Sequence, residues 1–227
     1  KHLQKRSLRL TDLSVLVLDE ADRMMDMGFV DQVMDILSYA PTERQTLLFS
    51  ATFPKEIEVL SQSIQQQPQV VRVESQVEAE LLRQVVFDCG VGQRAQTVVN
   101  LLAAHRPTTA LVFSETRVDC DKLADFLTER GALALALHGM MEQRERDDVL
   151  LQFSNGSASV LVATNVAARG LDIPSLPMVI ISELSGEPES HLHRIGRTGR
   201  AGESGVALSV VEVPRELRRL ERIEALL

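Results

Sequence analysis

The 227-residue chain is long enough for one large domain or two modest ones, and its 44% hydrophobic content is ordinary for a packed globular protein. A formal net charge of −8 weighs against an electrostatic coat for nucleic acid but leaves room for a local basic groove. Cys89 and Cys120 are the only cysteines, which weighs against a disulfide framework; both read as free thiols, and a reducing cytoplasm is expected.

No apolar run reaches the ~18 residues of a membrane span, and no signal-peptide pattern opens the chain. Lys1 opens in mid-pattern, so an excised part of a longer protein is expected. Short apolar runs at 15–19, 45–49, 69–73, 83–87, 109–113, 133–137, 159–163, 177–181 and 205–211 alternate with amphipathic stretches such as 54–64, 116–130 and 141–153. This alternation predicts an α/β fold with parallel sheets and flanking helices. Thr116 is expected to cap one helix, Gly131 to end it, and Pro54 to sit in the first turn of another. Residues 65–82 break the rhythm with Gln repeats, a Pro and a mixed polar run. Three strands before that break are too few for an open sheet covered on both faces. Residues 1–76 are therefore expected to be the back part of one domain, 77–82 a linker, and 83–227 a complete second domain.

The first strand ends in "VLVLDEAD", with three acids, Asp19, Glu20 and Asp22, within four positions. Ligands of open α/β sheets bind outside the carboxyl ends of the strands. An Asp there can hold Mg²⁺ through water, and a neighbouring Glu can take a proton from an attacking water. An acidic turn capping the next helix is the alternative, and the acids alone do not decide it. "LLFSAT" at 47–52 ends a second strand in small hydroxyl residues, placing Ser50 and Thr52 on the same edge, within reach of Asp22. The phosphate cradle that usually accompanies such acids, G-x-x-x-x-G-K-[ST], does not occur.

Further on, "LVFSET" at 111–116 ends a strand, and "ALHGMMEQRER" at 136–146 joins a strand to a helix. Gly139 can allow a tight turn before a helix start with free N–H groups, a ready phosphate site, with Gln143 and Arg146 on one helix face; for this piece alone a solvated charged face is the favoured reading. In "ATNVAARGLDIPS" at 163–175, Thr164 and Asn165 can cap a short turn, and Arg169 and Asp172 are expected near the sheet edge. "HRIGRTGRAG" at 193–202 packs Arg194, Arg197 and Arg200 among three glycines. No apolar core position explains these arginines, and the glycines are expected to turn them towards an anion. The closing "VPRELRRLERIEALL" reads as an amphipathic helix.

Together, "DEAD" 19–22, "SAT" 50–52, "LVFSET" 111–116, "HG" 138–139 with "QRER" 143–146, "ATNVAARGLDIP" 163–174 and "HRIGRTGR" 193–200 resemble the DEAD-box family of ATP-dependent RNA helicases. "YAPTERQTLLFSATFP" and the His-x-His at 191–193 are similar to the bacterial DbpA-type branch. The resemblance implies RecA-like domains that use ATP and Mg²⁺ and contact RNA mainly through its backbone, possible targets including ribosomal RNA. It implies Asp19 as the Mg²⁺ organiser, Glu20 as the activator of water, and Asp22, Ser50, Thr52 and His193 as coupling residues. It places Gly170, Asp172, Arg197 and Arg200 at ATP, the two arginines as fingers, and Thr116, Gly139, Gln143, Arg146 and Thr164 at RNA. It also implies a cytoplasmic, monomeric enzyme of ribosome biogenesis; without the phosphate cradle, the present chain is expected to be inactive by itself. Asn165, Met140 and Ser185 depart from the family pattern. The 4% aromatic content, without Trp, argues against base-stacking platforms. Two other readings stay open: an RNA- or partner-binding lobe without catalysis, and a helicase acting on DNA.

Overall fold

The computed structural model describes residues 1–72, 81–168, 176–199 and 202–226, apart from the side chain of Asp26. The chain divides into two compact units, Lys1–Glu74 and Ser75–Leu227. Among the described residues no helix is long and apolar enough to cross a membrane.

In the first unit β1 (Val15–Leu18) pairs in parallel with β2 (Gln45–Leu48), Val15 opposite Gln45 and Leu18 opposite Leu48. Three helices accompany them, α1 (Ala21–Asp26), α2 (Val30–Leu37) and α3 (Lys55–Ile64). Because side chains alternate along a strand, Leu16 and Leu18 face the helices and pack with Val33, Leu37, Leu60 and Ile64. Val15 and Val17 point the other way and are exposed. Pro54 is the residue before α3 rather than inside its first turn, with the extended ψ of 168° of an N-cap. The strand expected at 69–73 is not one over its described part: 69–72 pair with no strand, and Val70 and Val71 are exposed. A β-branched run becomes a strand only when a neighbour offers its backbone groups, and no described residue does so here.

The second unit is a parallel sheet in the order β3-β8-β7-β4-β6-β5. In chain order its elements are β3 (Leu82–Asp88), α4 (Arg94–His105), β4 (Ala110–Ser114), α5 (Arg117–Thr128), β5 (Ala134–Leu137) and α6 (Gln143–Ser154). There follow β6 (Val160–Thr164), β7 (Met178–Ile181), α7 (Pro188–Ile195), β8 (Gly205–Val211) and α8 (Leu217–Glu224). β3 begins at Leu82, so the expected linker loses its last residue: Leu82 is buried and pairs with Gly205. The central strands β4, β6 and β7 are buried at every position, as a sheet covered on both faces requires, whereas edge strand β3 alternates.

Two cores lie on opposite faces of the sheet. Val98, Leu101, Leu123 and Leu127 from α4 and α5 pack on Val112, Val162 and Ile180. On the other face Val149, Phe153, Ile195 and Ile223 from α6, α7 and α8 pack on Leu111, Phe113 and Ile181. Neighbouring strands β4 and β7 thus send their following helices, α5 and α7, to opposite faces. That divergence opens a crevice at their carboxyl ends, where ligands of doubly wound folds bind. Cys89 and Cys120 are buried free thiols, and burial pushes Cys120 up to about 11, which makes it a poor nucleophile.

Candidate functional site

In the first unit the acids sit at the carboxyl ends of β1 and β2. Phe49 N–H donates to Leu18 O at 2.8 Å and Ala21 N–H to Phe49 O at 3.0 Å, so both strand ends and the start of α1 form one hydrogen-bonded edge. Asp22 is the centre of this edge. Its Oδ2 accepts the amide of Thr52 at 2.8 Å and the hydroxyl of Thr52 at 2.9 Å, and its own amide donates to Ser50 Oγ at 3.1 Å. Burial pulls the Asp22 carboxyl upward, but donation from Thr52 and Arg23 N–H outweighs it and holds the group below its ordinary value. Asp22 is therefore an ionised, structurally committed carboxylate.

Asp19 and Glu20 are left outside that lattice. Asp19 is exposed; its Oδ1 accepts the Glu20 amide at 2.9 Å. Glu20 has φ 52° and ψ 46°, a left-handed conformation uncommon for a residue with a Cβ, and costs of order 1 kcal/mol or more. Such a residue persists because its neighbours fix it on both sides, here Asp19 Oδ1 and the Ala21–Phe49 bond.

In the second unit the expected residues gather at the carboxyl edge of the sheet. Thr116 caps α5, its Oγ1 accepting Asp119 N–H at 3.1 Å, and it is exposed. Thr164 ends β6 and is buried, with its carbonyl accepting Ala168 N–H at 3.0 Å. A polar cleft of about 330 Å³ opens beside it, lined by Glu115, Asn165, Ser190 and Arg194 among others. The Asn165 amide donates to Ser190 Oγ at 3.3 Å, tying the turn after β6 to α7. His193 lies in the last turn of α7, half-buried.

Two expectations need correction. The start of α6 is not an open phosphate site: a capping box fills it, with the Glu142 carboxylate on the third helical amide and Glu145 accepting Glu142 N–H at 2.8 Å. Two carboxylates there repel an anion. Gly139 is not demanded by a tight turn either, since its φ is not left-handed and a Cβ would meet nothing within 4 Å. Gln143 instead donates to Asp147 Oδ1 at 2.8 Å, and Arg146 reaches Ala167 O at 3.5 Å.

The "HRIGRTGR" turn also differs from its expectation. Arg194 is a core residue, 1% exposed, with its guanidinium over the Phe113 ring. It donates to Glu183 O at 3.0 Å and pairs with the Glu115 carboxylate, so it is spent inside the protein rather than offered to an outside anion. Arg197 is half-buried, and no described residue pairs with its guanidinium. Gly199 takes φ +66°, which glycine adopts without steric cost. Arg169, Gly170, Asp172 and Arg200 lie outside the described residues. Sequence reasoning passed over Glu115 and Arg194 as a pair. The signal was an acid directly after a buried strand and an arginine on the buried side of a short helix.

The order of these edges matches known proteins. Residues 1–60 match the DEAD/DEAH box helicase model, and residues 93–202 match the helicase conserved C-terminal domain. The ATP-dependent RNA helicase DbpA of Escherichia coli is 47% identical over 196 residues, covering 86% of this chain and 43% of that protein. The DEAD-box ATP-dependent RNA helicase CshA of Bacillus subtilis is 40% identical over 197 residues, covering 86% of this chain and 40% of CshA. The chain thus spans less than half the length of these relatives. Saccharomyces cerevisiae Dbp5 bound to RNA and ADP BeF3 superposes with a TM-score of 0.88 at 30% identity, covering 99% of this chain and 60% of that one. The E. coli DEAD-box protein SrmB, bound to regulator of ribonuclease activity A, gives 0.60 at 33% identity, covering 65% of this chain and 86% of that one. The chain belongs to the DEAD-box helicase family, and its fold is RecA-like α/β.

Proposed function

We propose that the full-length protein is an ATP-dependent RNA helicase that couples ATP hydrolysis to local RNA duplex unwinding or RNA–protein remodelling. The observation that carries this reading is the edge at β1 and β2. Asp22, Ser50 and Thr52 bind one another and leave the Glu20 carboxylate and one oxygen of Asp19 outside their lattice for chemistry.

Mg²⁺ suits this edge. It is ordinarily held by one or two carboxylates together with phosphates and waters, and exposed Asp19 keeps one oxygen uncommitted after accepting the Glu20 amide. Asp19 would hold it through water; when bound, the ion neutralises charge on the phosphates. Glu20 takes the proton of the attacking water, a role worth about 10²–10⁴ in rate. Arg197, together with Arg200, stabilises charge on the transferred phosphoryl, an arginine-finger role worth about 10³–10⁵. Gly170 and Asp172 complete the nucleotide contacts. Asp22, Ser50, Thr52 and His193 couple nucleotide state to RNA binding.

RNA is read through its backbone along Thr116, Gly139, Arg146 and Thr164, which gives little sequence preference, while the start of α6 at Gln143, closed by Glu142 and Glu145, takes no phosphate. The open space over Gly139 supports close approach of a nucleic-acid backbone there. The protein acts as a cytoplasmic monomer on ribosomal RNA in ribosome biogenesis; sequencing the RNA crosslinked to it in cells tests the ribosomal target. The central test is ATP turnover of the full-length protein with added RNA or DNA. Stimulation by RNA alone is expected, and equal stimulation by DNA would overturn the RNA assignment.

A further inference from the structure

The pair formed by Arg194 and Glu115 joins two edges to which the proposed function gives different ligands. Glu115 follows β4 directly and precedes Thr116, a proposed RNA contact. Arg194 lies in α7, one turn before Arg197, a proposed phosphate contact. The partners are 79 residues apart in sequence, so nothing local brings them together.

Arg194 is 1% exposed and the Glu115 side chain 28% exposed, so the arginine comes from inside and the carboxylate reaches it from the rim. One η nitrogen of Arg194 donates to Glu115, and the other donates to Glu183 O at 3.0 Å, just past the end of β7. The Phe113 ring lies beneath, 5.5 Å from the guanidinium carbon. Arg194 thereby fastens α7 to the carboxyl ends of β4 and β7, the two strands that flank the crevice. The backbone continues the link: Arg197 N–H donates to Arg194 O at 3.2 Å, and Thr198 N–H to Ile195 O at 3.1 Å, so the turn bearing Arg197 starts from the anchored residue. Among the described residues Arg194 Nε has no acceptor, which leaves the two η nitrogens to set its orientation. A charge-assisted bond is roughly twice as strong as a neutral one, and a guanidinium fork fixes direction as well as distance.

We infer that Glu115 is a positioning residue for ATP hydrolysis, acting through Arg194 to set Arg197. The inference rests on the helicase reading and deepens it. With Glu115 paired, Arg194 holds α7 against the ends of β4 and β7, and Arg197 stands in its working orientation.

A double-mutant cycle on the full-length protein tests this, using wild type, Glu115→Gln, Arg197→Ala and the combination. RNA-stimulated kcat, KM for ATP and the melting temperature are measured for each. Glu115→Gln keeps an acceptor for Arg194 but removes the charge. The expected result is a roughly tenfold loss of kcat in the presence of Arg197, with KM for ATP within about twofold of wild type. In the Arg197→Ala background the further loss is expected to stay under about twofold. A merely structural pair would lower the melting temperature, and the same fractional loss of kcat would appear in both backgrounds. That additive result overturns the inference and leaves the helicase reading standing, as does a Glu115→Gln enzyme with wild-type kcat. If Glu115→Gln does not fold, Arg194→Lys, which keeps the charge and loses the fork, is put through the same cycle with the same expected outcomes. A wild-type protein without RNA-stimulated turnover overturns the helicase reading itself, and the wild-type control reports this before any variant is compared.

Discussion

Thr52 donates twice to one oxygen of Asp22, through its amide at 2.8 Å and its hydroxyl at 2.9 Å. The two residues are 30 positions apart, and their bond joins the end of β2 to the first turn of α1. Thr52→Val keeps the shape and the amide donor but removes the hydroxyl. Since bonds to a charged group contribute about 1.5–3 kcal/mol, the variant is expected to lose roughly that much near neutral pH. The folded Asp22 carboxyl titrates below its ordinary value, so its contribution is present above about pH 4 and is lost as pH falls through the folded value. The penalty should therefore shrink in acid. Urea titrations at pH 7 and pH 3 check this; an equal penalty at both would contradict it.

His191 gives the opposite kind of pH dependence. It is 5% exposed, and burial, followed by the positive charge of Arg194, pushes it down to about 4 from an ordinary 6.5. Between those values the unfolded chain holds a proton that the folded chain does not. Stability therefore falls as pH drops from 6.5 towards 4 and levels off below, a change of about 3 kcal/mol. His191→Gln should flatten that slope relative to wild type in urea titrations. An unchanged slope would show that the ring is not the proton acceptor.

Glu216 is a buried hub at 2% exposure. It pairs with Arg94 at 2.6 Å and accepts Leu184 N–H at 3.1 Å and Glu212 N–H at 2.9 Å, holding α8 against the ends of β7 and β8. Removing one partner of a buried pair leaves an uncompensated charge, so Glu216→Ala is expected to destabilise by about 3–5 kcal/mol. Denaturant titration measures it, and a loss below about 1 kcal/mol would show that Arg94 finds water instead.

Gly205 opens β8 where the chain passes the "GRTGR" turn. A Cβ there would lie 1.9 Å from Thr198 Oγ1 and 2.4 Å from Gly199 N. Gly205→Ala therefore forces the turn bearing Arg197 to move, and a loss of about 1–3 kcal/mol or more is expected in a thermal melt. Wild-type stability would mean that the turn yields freely.

Most of the second unit was legible because its central strands are continuous apolar runs. Val160–Thr164 and Met178–Ile181 have no polar face to confuse the period. The same signature misled at 69–72: it records what a segment can pair with, not whether a partner lies beside it. The capping box of α6 was readable, because Glu142 and Glu145 stand three apart, but the glycine before it drew attention to phosphate instead. The reach of Ser50 and Thr52 to Asp22 was anticipated from two motifs considered together. Burial of Arg194 shows in sequence only as its place with Ser190, His191 and Ile195 on one side of α7, while its counter-charge Glu115 lies 79 residues away, beyond any short-range pattern.

Glu20 is the proposed proton acceptor beside Asp19, set apart by its left-handed backbone and standing outside the Asp22 lattice. Its most direct test is Glu20→Gln in the full-length protein, with steady-state ATP turnover and ATP-dependent RNA binding measured together. The expected result is a fall in RNA-stimulated turnover of about 10²–10⁴ with ATP-dependent RNA binding retained or tightened. Wild-type turnover by that variant would contradict the account.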